Sequence, residues 1–521
     1  MKLQTLDLFV LALYTISIIG IALWVSRPTK GHTRDAQDYF LAGKSLPWWA
    51  IGASLIAANI SAEQIIGMSG SGYVIGLAIA SYEWMAAITL LIVGKYFLPV
   101  FLKRGISTMP QFLESRYDHK VRMLLAFFWL GVYVFVNLTS ILWLGALAIN
   151  TISGLSPLNG MLLLGAIACA YSLYGGLKAV ALTDIIQVVM LVLGGLIIAY
   201  LSMDQISGGA GFIAGFSILT EELPGKFDMI FDKDNPAYQA MPGMSVLLGG
   251  MWVMNISYWG FNQYIIQRAL AAKSQREAQK GIAMAAYLKL LMPVLVVFPG
   301  IAAVLLMPDL AEPDNAYPHL MTLLPTGLLG LVFAALIAAI VSSVGSMMNS
   351  ISTIFTLDIY RSLRPHKADD QRHLVTVGRT VSFSALVIAV LCAKPLLGNF
   401  DQAFQYIQEF TGFFTPGIVV VFLLGIFWKK ATVNSALLAA VSSAVLSLCL
   451  KLAWPELPFM DRVGLVFLVC TLLAVSLSLV ENKAQSGAID LDDIEFRTST
   501  GFNIAGIGVV LILAALYATW W

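Results

Sequence analysis

Charge is scarce in this chain. Only 12% of its 521 residues are Asp, Glu, Lys or Arg, about half of the roughly 25% usual for a soluble domain. With 59% hydrophobic residues and a mean hydropathy of +0.82, a soluble globular fold is excluded and a polytopic membrane protein remains. Cysteine is sparse too. Cys169, Cys392, Cys449 and Cys470 all lie in apolar stretches without CxxC spacing, so no disulfide or metal framework is implied. The five histidines fall in or beside loops and no HExxH occurs, which argues against a membrane metalloprotease. There is no GxxxxGK[ST], so ATP is not the energy source. No basic tract or basic-aromatic patch suggests nucleic acid, and no organic cofactor is called for.

What the chain has is apolar length. Windows of about 18 residues or more predict fourteen transmembrane helices: 8–25, 47–73, 77–102, 123–151, 157–174, 179–202, 244–267, 277–307, 325–360, 373–397, 401–428, 431–453, 459–480 and 502–520. The run 8–25 lacks a small-residue cleavage site and reads as the first span, not a signal peptide. Spans two and seven are polar inside, and span nine is too long for one straight crossing. The soluble pieces 203–243 and 481–501 are too short for an independent core, so a single membrane domain is expected.

Loop charges orient the spans. Arg27, Lys30 and Arg34 follow span one; Lys103, Arg104, Arg116, Lys120 and Arg122 follow span three; Arg268, Lys273, Arg276 and Lys280 follow span seven. Arg361, Arg364, Lys367 and Arg372 follow span nine, and Lys429 and Lys430 follow span eleven. The alternate loops are neutral or acidic, so the positive-inside rule places both termini outside. The acidic loop 481–501, inside on this scheme, dissents.

Span two holds Asn59, Ser61, Glu63 and Gln64 near its centre, then Gly67, Gly70 and Gly72. A carboxylate in hydrocarbon costs several kcal/mol unless it faces protein or water. The stretch therefore predicts a helix broken near the bilayer midplane, its freed backbone groups lining a cavity. The alternative is a tightly packed helix whose small and polar residues are interhelical glue. Span seven repeats the pattern with Asn255, Ser257, Gly260, Asn262 and Gln263. Two interrupted helices, each followed by four ordinary ones, predict two inverted five-helix repeats, 47–202 and 244–428. The span 8–25 precedes them and three spans, 431–520, follow.

In span nine, Ser342, Ser346, Asn349 and Ser350 share one face by i, i+4, i+7 and i+8 spacing. Such residues are packing glue or, with carbonyls freed by a broken neighbour, an oxygen nest for sodium. Glu83 and Lys289 are intramembrane charges, Lys289 with the option of snorkelling to the headgroups. Gln64, Asn255, Gln408 and Glu409 add polar groups at comparable depth. Many neutral donors and acceptors with one charge of each sign suit a polyhydroxylated neutral solute such as a sugar. Tyr82, Trp84, Tyr258, Trp259, Phe404 and Tyr406 offer faces for sugar rings, gates, or plain packing.

DYFLAGKSLPWWAIGASLIAANISAEQIIGMSGSGY, ASYEWMAAITL, YSLYGGLKAVALTDIIQ, YWGFNQYIIQRALAAK, AAIVSSVGSMMNSISTIFTLDIY and FQYIQEFTGF closely resemble the solute:sodium symporters, and within them the sodium/glucose branch. The resemblance runs over nearly the whole chain. It implies the LeuT-type fold with fourteen spans. It also implies a sodium site of the Ala57, Ile60 and Ala339 carbonyls with the Ser342 and Ser343 hydroxyls, and a role for Asp184 in sodium release or a second site. By the same resemblance the sugar would meet Asn59, Gln64, Glu83, Asn255, Lys289 and Gln408. Tyr258 would stack on the ring as inner gate, backed by Trp259, with Met68, Tyr82 and Phe404 as outer gate. One position departs: where sodium/galactose members of the branch carry a serine three residues after the glutamate, this chain has Ala86.

The expectation is a non-enzymatic secondary transporter of the plasma membrane, the inner membrane of a bacterium. It would import a hexose, galactose or glucose, with sodium by alternating access. Another neutral polyol such as myo-inositol is the runner-up; a transporter-like membrane sensor lacks its cytosolic module. Oligomeric state is not specified by the sequence.

Overall fold

The broken second span organises the fold. In this computed structural model, which describes residues 3–25, 45–106, 108–172, 177–367, 370–398 and 402–521, the helix Trp48–Asn59 stops at Ile60 (φ −73°, ψ 82°). The chain resumes through a π-helical turn, Glu63–Gly67, into Met68–Val74. The two halves meet at 65°. The break is expressed in the backbone hydrogen bonds. Ser61 N–H donates to Asn59 O at 2.8 Å in place of the helical acceptor Ala57 O. Gln64 and Ile65 N–H both turn to Ser61 O, which leaves the Ile60 carbonyl outside the ladder.

Span seven is likewise divided, into Met244–Leu248, Gly250–Ile256, the π turn Ser257–Phe261 and, after extended Asn262, Gln263–Leu270. Span eleven is bent as well, by 48° between Ala403–Thr411 and Thr415–Phe427, a break the hydropathy did not predict. Span nine is unbroken but not uniform, its α-helix Leu328–Thr353 passing into the π-helical Ile354–Tyr360. It is one continuous helix, Leu328–Leu363, of 36 residues. At about 1.5 Å per residue it is about 54 Å long and exceeds the roughly 30 Å hydrocarbon layer.

Among the described residues all extended secondary structure is helical, the one strand-like feature being a bridge between Leu46 and Ala272. Of the described helices, nine are long and apolar enough to cross a bilayer, and the two bent pairs raise this to eleven. Thr5–Val25 and Pro157–Ser172 are further apolar helices, of 21 and 16 residues. The fragments of span seven are each too short to cross alone.

Both halves of the broken helix lie along Gln275–Leu306 on glycine contacts. A Cβ on Gly52 would stand 2.8 Å from Gly281 O, and one on Gly300 would stand 2.2 Å from Ser69 O. Only hydrogen at these positions lets the backbones approach so closely.

The loops sort onto two faces. On one, Lys429 Nζ meets Asp490 Oδ1 at 2.9 Å, Gln275 Nε2 donates to Glu495 O at 3.2 Å, and Arg104 lies against Ala488. The dissenting acidic loop therefore shares its face with the basic loops after spans three, seven and eleven. On the other face Lys226 Nζ donates to Tyr73 O at 2.9 Å, Gln239 Nε2 to Glu456 O, and Met229 N–H to Trp520 O. Two arginines counted as loop charges are buried instead. Arg116 donates to the carbonyls of Gly425, Trp428 and Ala431 at the end of Thr415–Phe427, and Arg268 lies beside Asp184. Arg27, Lys30 and Arg34, the DYFLAGK segment and Tyr174 to Gly176 lie outside the described residues.

Candidate functional site

A cavity of about 110 Å³ opens where the breaks face one another. Three of its walls are π turns. Glu63 and Gln64 come from Glu63–Gly67, Tyr133 and Asn137 from Tyr133–Leu138, and Ser257, Tyr258 and Trp259 from Ser257–Phe261. A π turn adds a residue to the helical repeat and recurs at functional sites; here it turns polar side chains inward from otherwise apolar helices.

The structure brings most sequence-predicted residues to this cavity. Asn59, Gln64, Glu83, Asn255, Tyr258, Gln408, Tyr82, Phe404 and Trp259 all line it. Lys289 stands one layer behind. Its Nζ lies 2.5 Å from Glu83 Oε2, hydrogen-bonds Asn59 Oδ1, and sits 4.9 Å from the centre of the Trp259 ring. It is 0% exposed at its side chain, so it does not snorkel. Desolvating two charges is costly, and this pair offsets the cost by close geometry, a shared amide and an aromatic face.

Asn59 links this pair to the other side of the cavity. Its Nδ2 donates to Tyr258 OH at 3.1 Å. That hydroxyl lies 2.9 Å from Tyr264 OH, which donates to Ala58 O at 3.1 Å. The broken helix thus has one freed carbonyl satisfied by a tyrosine from the other broken span. Above, Tyr82 and Phe404 meet edge to face at 5.1 Å, both buried.

Ala57, Ile60, Ala339, Ser342 and Ser343 are all buried. Ser342 Oγ donates to Asp184 Oδ1 at 2.8 Å. Asp184 also accepts from Ser54 at 3.5 Å and lies 3.9 Å from Arg268 Nη2. With its proton so committed, Ser342 Oγ keeps lone pairs for a cation. Carbonyls, hydroxyls and one nearby carboxylate are the hard oxygen donors an alkali ion takes. Among the described residues no group of three or more His, Cys, Asp or Glu is placed to hold a metal.

Other residues singled out in the sequence lie off the cavity wall. Met68 is fully buried and off the cavity wall, its sulfur accepting from Gln64 Nε2 at 3.1 Å. Glu409 turns away to Lys451 at 2.6 Å and Arg462 at 3.3 Å, because Gln408 takes the inward direction on that helix. Ala86 is 1% exposed and is packed behind the wall. Ser350 Oγ donates to Ser346 O in its own helix, a packing arrangement. Sequence reasoning missed Tyr133, Asn137, Tyr264, Thr411 and Thr415. Asn137, a lone amide in an apolar run, was the one with a readable signal.

Comparison with known proteins follows the geometry. Residues 39–442 match the model of the sodium:solute symporter family. The chain is 53% identical, over 100% of its length and 99% of the relative's, to a protein of Vibrio parahaemolyticus described as a sodium/glucose cotransporter. It is 34% identical to mouse sodium/myo-inositol cotransporter 2, over 86% of this chain and 70% of that one. In structure it resembles a Na+-coupled sialic acid symporter in a substrate-bound outward-open state, with a TM-score of 0.77 at 22% identity, covering 93% of this chain and 99% of that one. That likeness gives the fold, a LeuT-like all-helical transporter architecture. A family match spanning most of the chain, full-length identity above half to one relative, and the shared fold agree: this chain is a sodium-coupled membrane transporter belonging to the sodium:solute symporter family.

Proposed function

We propose that the protein imports a hexose, glucose or galactose, together with sodium by alternating access. Asn59 carries the reading. It is one residue from Ile60 and two from Ala57, whose carbonyls are freed by the break, and its own side chain joins Lys289 to Tyr258. A sodium ion drawing in the Ala57, Ile60 and Ala339 carbonyls with Ser342 and Ser343 fixes the backbone at the break. That places Asn59, and with it the Glu83–Lys289 pair, for the sugar hydroxyls. Tyr258 stacks on the ring from the inner side, backed by Trp259, and Tyr82 and Phe404 close the outer side over it. Asp184, hydrogen-bonded to Ser342, receives the ion on its way out. Lys289 acts on the sugar through the carboxylate and amide that it holds, and Met68 supports the outer gate through Gln64.

The two interrupted helices begin the two inverted repeats, 47–202 and 244–428, which rock against each other while both termini stay outside. The driving force suffices for uphill uptake. A potential near 100 mV contributes about 2.3 kcal/mol per charge, and a roughly tenfold sodium gradient about 1.4 kcal/mol. One sodium per sugar then sustains about 500-fold accumulation.

The 53% identity to a protein described as a sodium/glucose cotransporter supports hexose. The 34% identity to a myo-inositol cotransporter keeps that polyol as the second reading. Counterflow of labelled glucose, galactose and myo-inositol in proteoliposomes, with and without sodium, decides between them. Sodium-dependent exchange of a hexose is expected; exchange of myo-inositol alone overturns the hexose assignment, and sodium-independent equilibration overturns symport.

A further inference from the structure

A second, apolar cavity lies on the perimeter of the molecule, away from the transport path. Its volume is about 400 Å³, and it is formed between the broken seventh span, the helix Thr415–Phe427 and the helix Phe459–Glu481. On the last of these, Asp461, Gly464, Leu465 and Leu468 line it, an i, i+3, i+4, i+7 stripe. The stripe faces outward from the protein: Leu465 is 40% and Leu468 64% exposed, and Leu248 on the facing wall is 78% exposed. In a membrane-spanning bundle such a surface meets acyl chains.

One end of the stripe is acidic. Asp461 stands in the first turn of its helix, at a membrane-surface end, and Leu468 lies about 10 Å deeper at 1.5 Å per residue. Lys451 and Arg462, the neighbouring cations, are both held by Glu409, and no described cation forms an ion pair with Asp461. A carboxylate at interface depth that heads an apolar groove matches an amphiphile with a cationic, N–H-bearing headgroup and a hydrocarbon tail. We propose that this groove binds one aminophospholipid, phosphatidylethanolamine, with its ammonium at Asp461 and an acyl chain along Leu465 and Leu468. The groove abuts Gly249 and Gly250, where span seven is divided above the helix that carries Asn255, so the lipid would brace the outer part of that span.

The test uses the full-length detergent-solubilised protein, titrated with dioleoyl phosphatidylethanolamine or dioleoyl phosphatidylglycerol and read by native mass spectrometry. Wild type should retain one phosphatidylethanolamine about tenfold more tightly than phosphatidylglycerol, the scale of one charge-assisted hydrogen bond. Asp461→Asn should abolish that preference, and Leu468→Trp, which fills the groove, should remove the tight site. Equal retention of the two lipids by wild type overturns the headgroup assignment without any variant. A preference that survives Asp461→Asn overturns it too, and one that survives Leu468→Trp places the lipid elsewhere.

Discussion

Lys289 and Glu83 face each other at 2.5 Å, with their side chains 0% and 4% exposed, and Asn59 bonds the same ammonium. Glu83→Gln keeps the shape but exchanges a strong acceptor for a weaker one and a donor. A charged hydrogen bond to a buried substrate contributes about 1.5–3 kcal/mol, so sugar affinity should fall by roughly one to two decades. Lys289→Met should act in the same direction by releasing Glu83 and Asn59. Binding isotherms with and without sodium measure this. Normal sugar affinity in a protein that melts early would make the pair a helix clamp only.

Ser343→Ala removes one oxygen from the proposed sodium nest while leaving the Ser342–Asp184 bond at 2.8 Å intact. The half-saturating sodium concentration for uptake should rise and the maximal rate should fall. Unaltered sodium dependence would return Ser343 to helix packing.

Tyr264 donates to Ala58 O and meets Tyr258 OH. Tyr264→Phe leaves the freed carbonyl bare, at a cost of about 1–3 kcal/mol. The variant should melt earlier and leak sodium without sugar, because the inner tyrosine loses its tie to the break. Vesicle sodium flux in the absence of sugar gives the answer.

Arg116 holds three carbonyls at the end of Thr415–Phe427. Arg116→Ala should cost about 3 kcal/mol or more, since each stranded acceptor costs about 1–3 kcal/mol. Sugar affinity in the surviving protein should be unchanged. A loss of affinity at full stability would give Arg116 a role in the transport cycle.

The loop tie between Lys429 and Asp490 carries a pH signature. The Lys429 ammonium, then the Asp492 backbone N–H, hold the Asp490 carboxyl below its ordinary range. A depressed carboxylate contributes above its unfolded value and loses the contribution as pH falls through the folded one. Amide protection in the loop 482–499, taken relative to the intrinsic exchange rate at each pH, should therefore fall in acid, below about pH 4, with no comparable loss of protection near neutrality. Lys429→Met should show the lower protection already at neutral pH.

Sequence by itself determined the class of this protein and the place of its main break. Hydrocarbon admits no unsatisfied backbone, so apolar runs of the right length must be helices. Polar residues clustered inside one of them, as at Asn59 to Gln64, must turn toward protein or water. Family-long motifs carried the sodium coupling. Tertiary structure alone decided which neighbouring polar residue points inward. Gln408 faces the cavity and Glu409 does not, a choice set by rotation of one helix against Lys451 and Arg462. It decided that Lys289 is sealed behind Glu83 instead of reaching the headgroups, because only packing across three helices can exclude water from an ammonium. It also placed Tyr133 and Asn137 at the site, through a π turn that leaves no trace in hydropathy, since one extra residue per turn changes a side chain's direction without changing its composition.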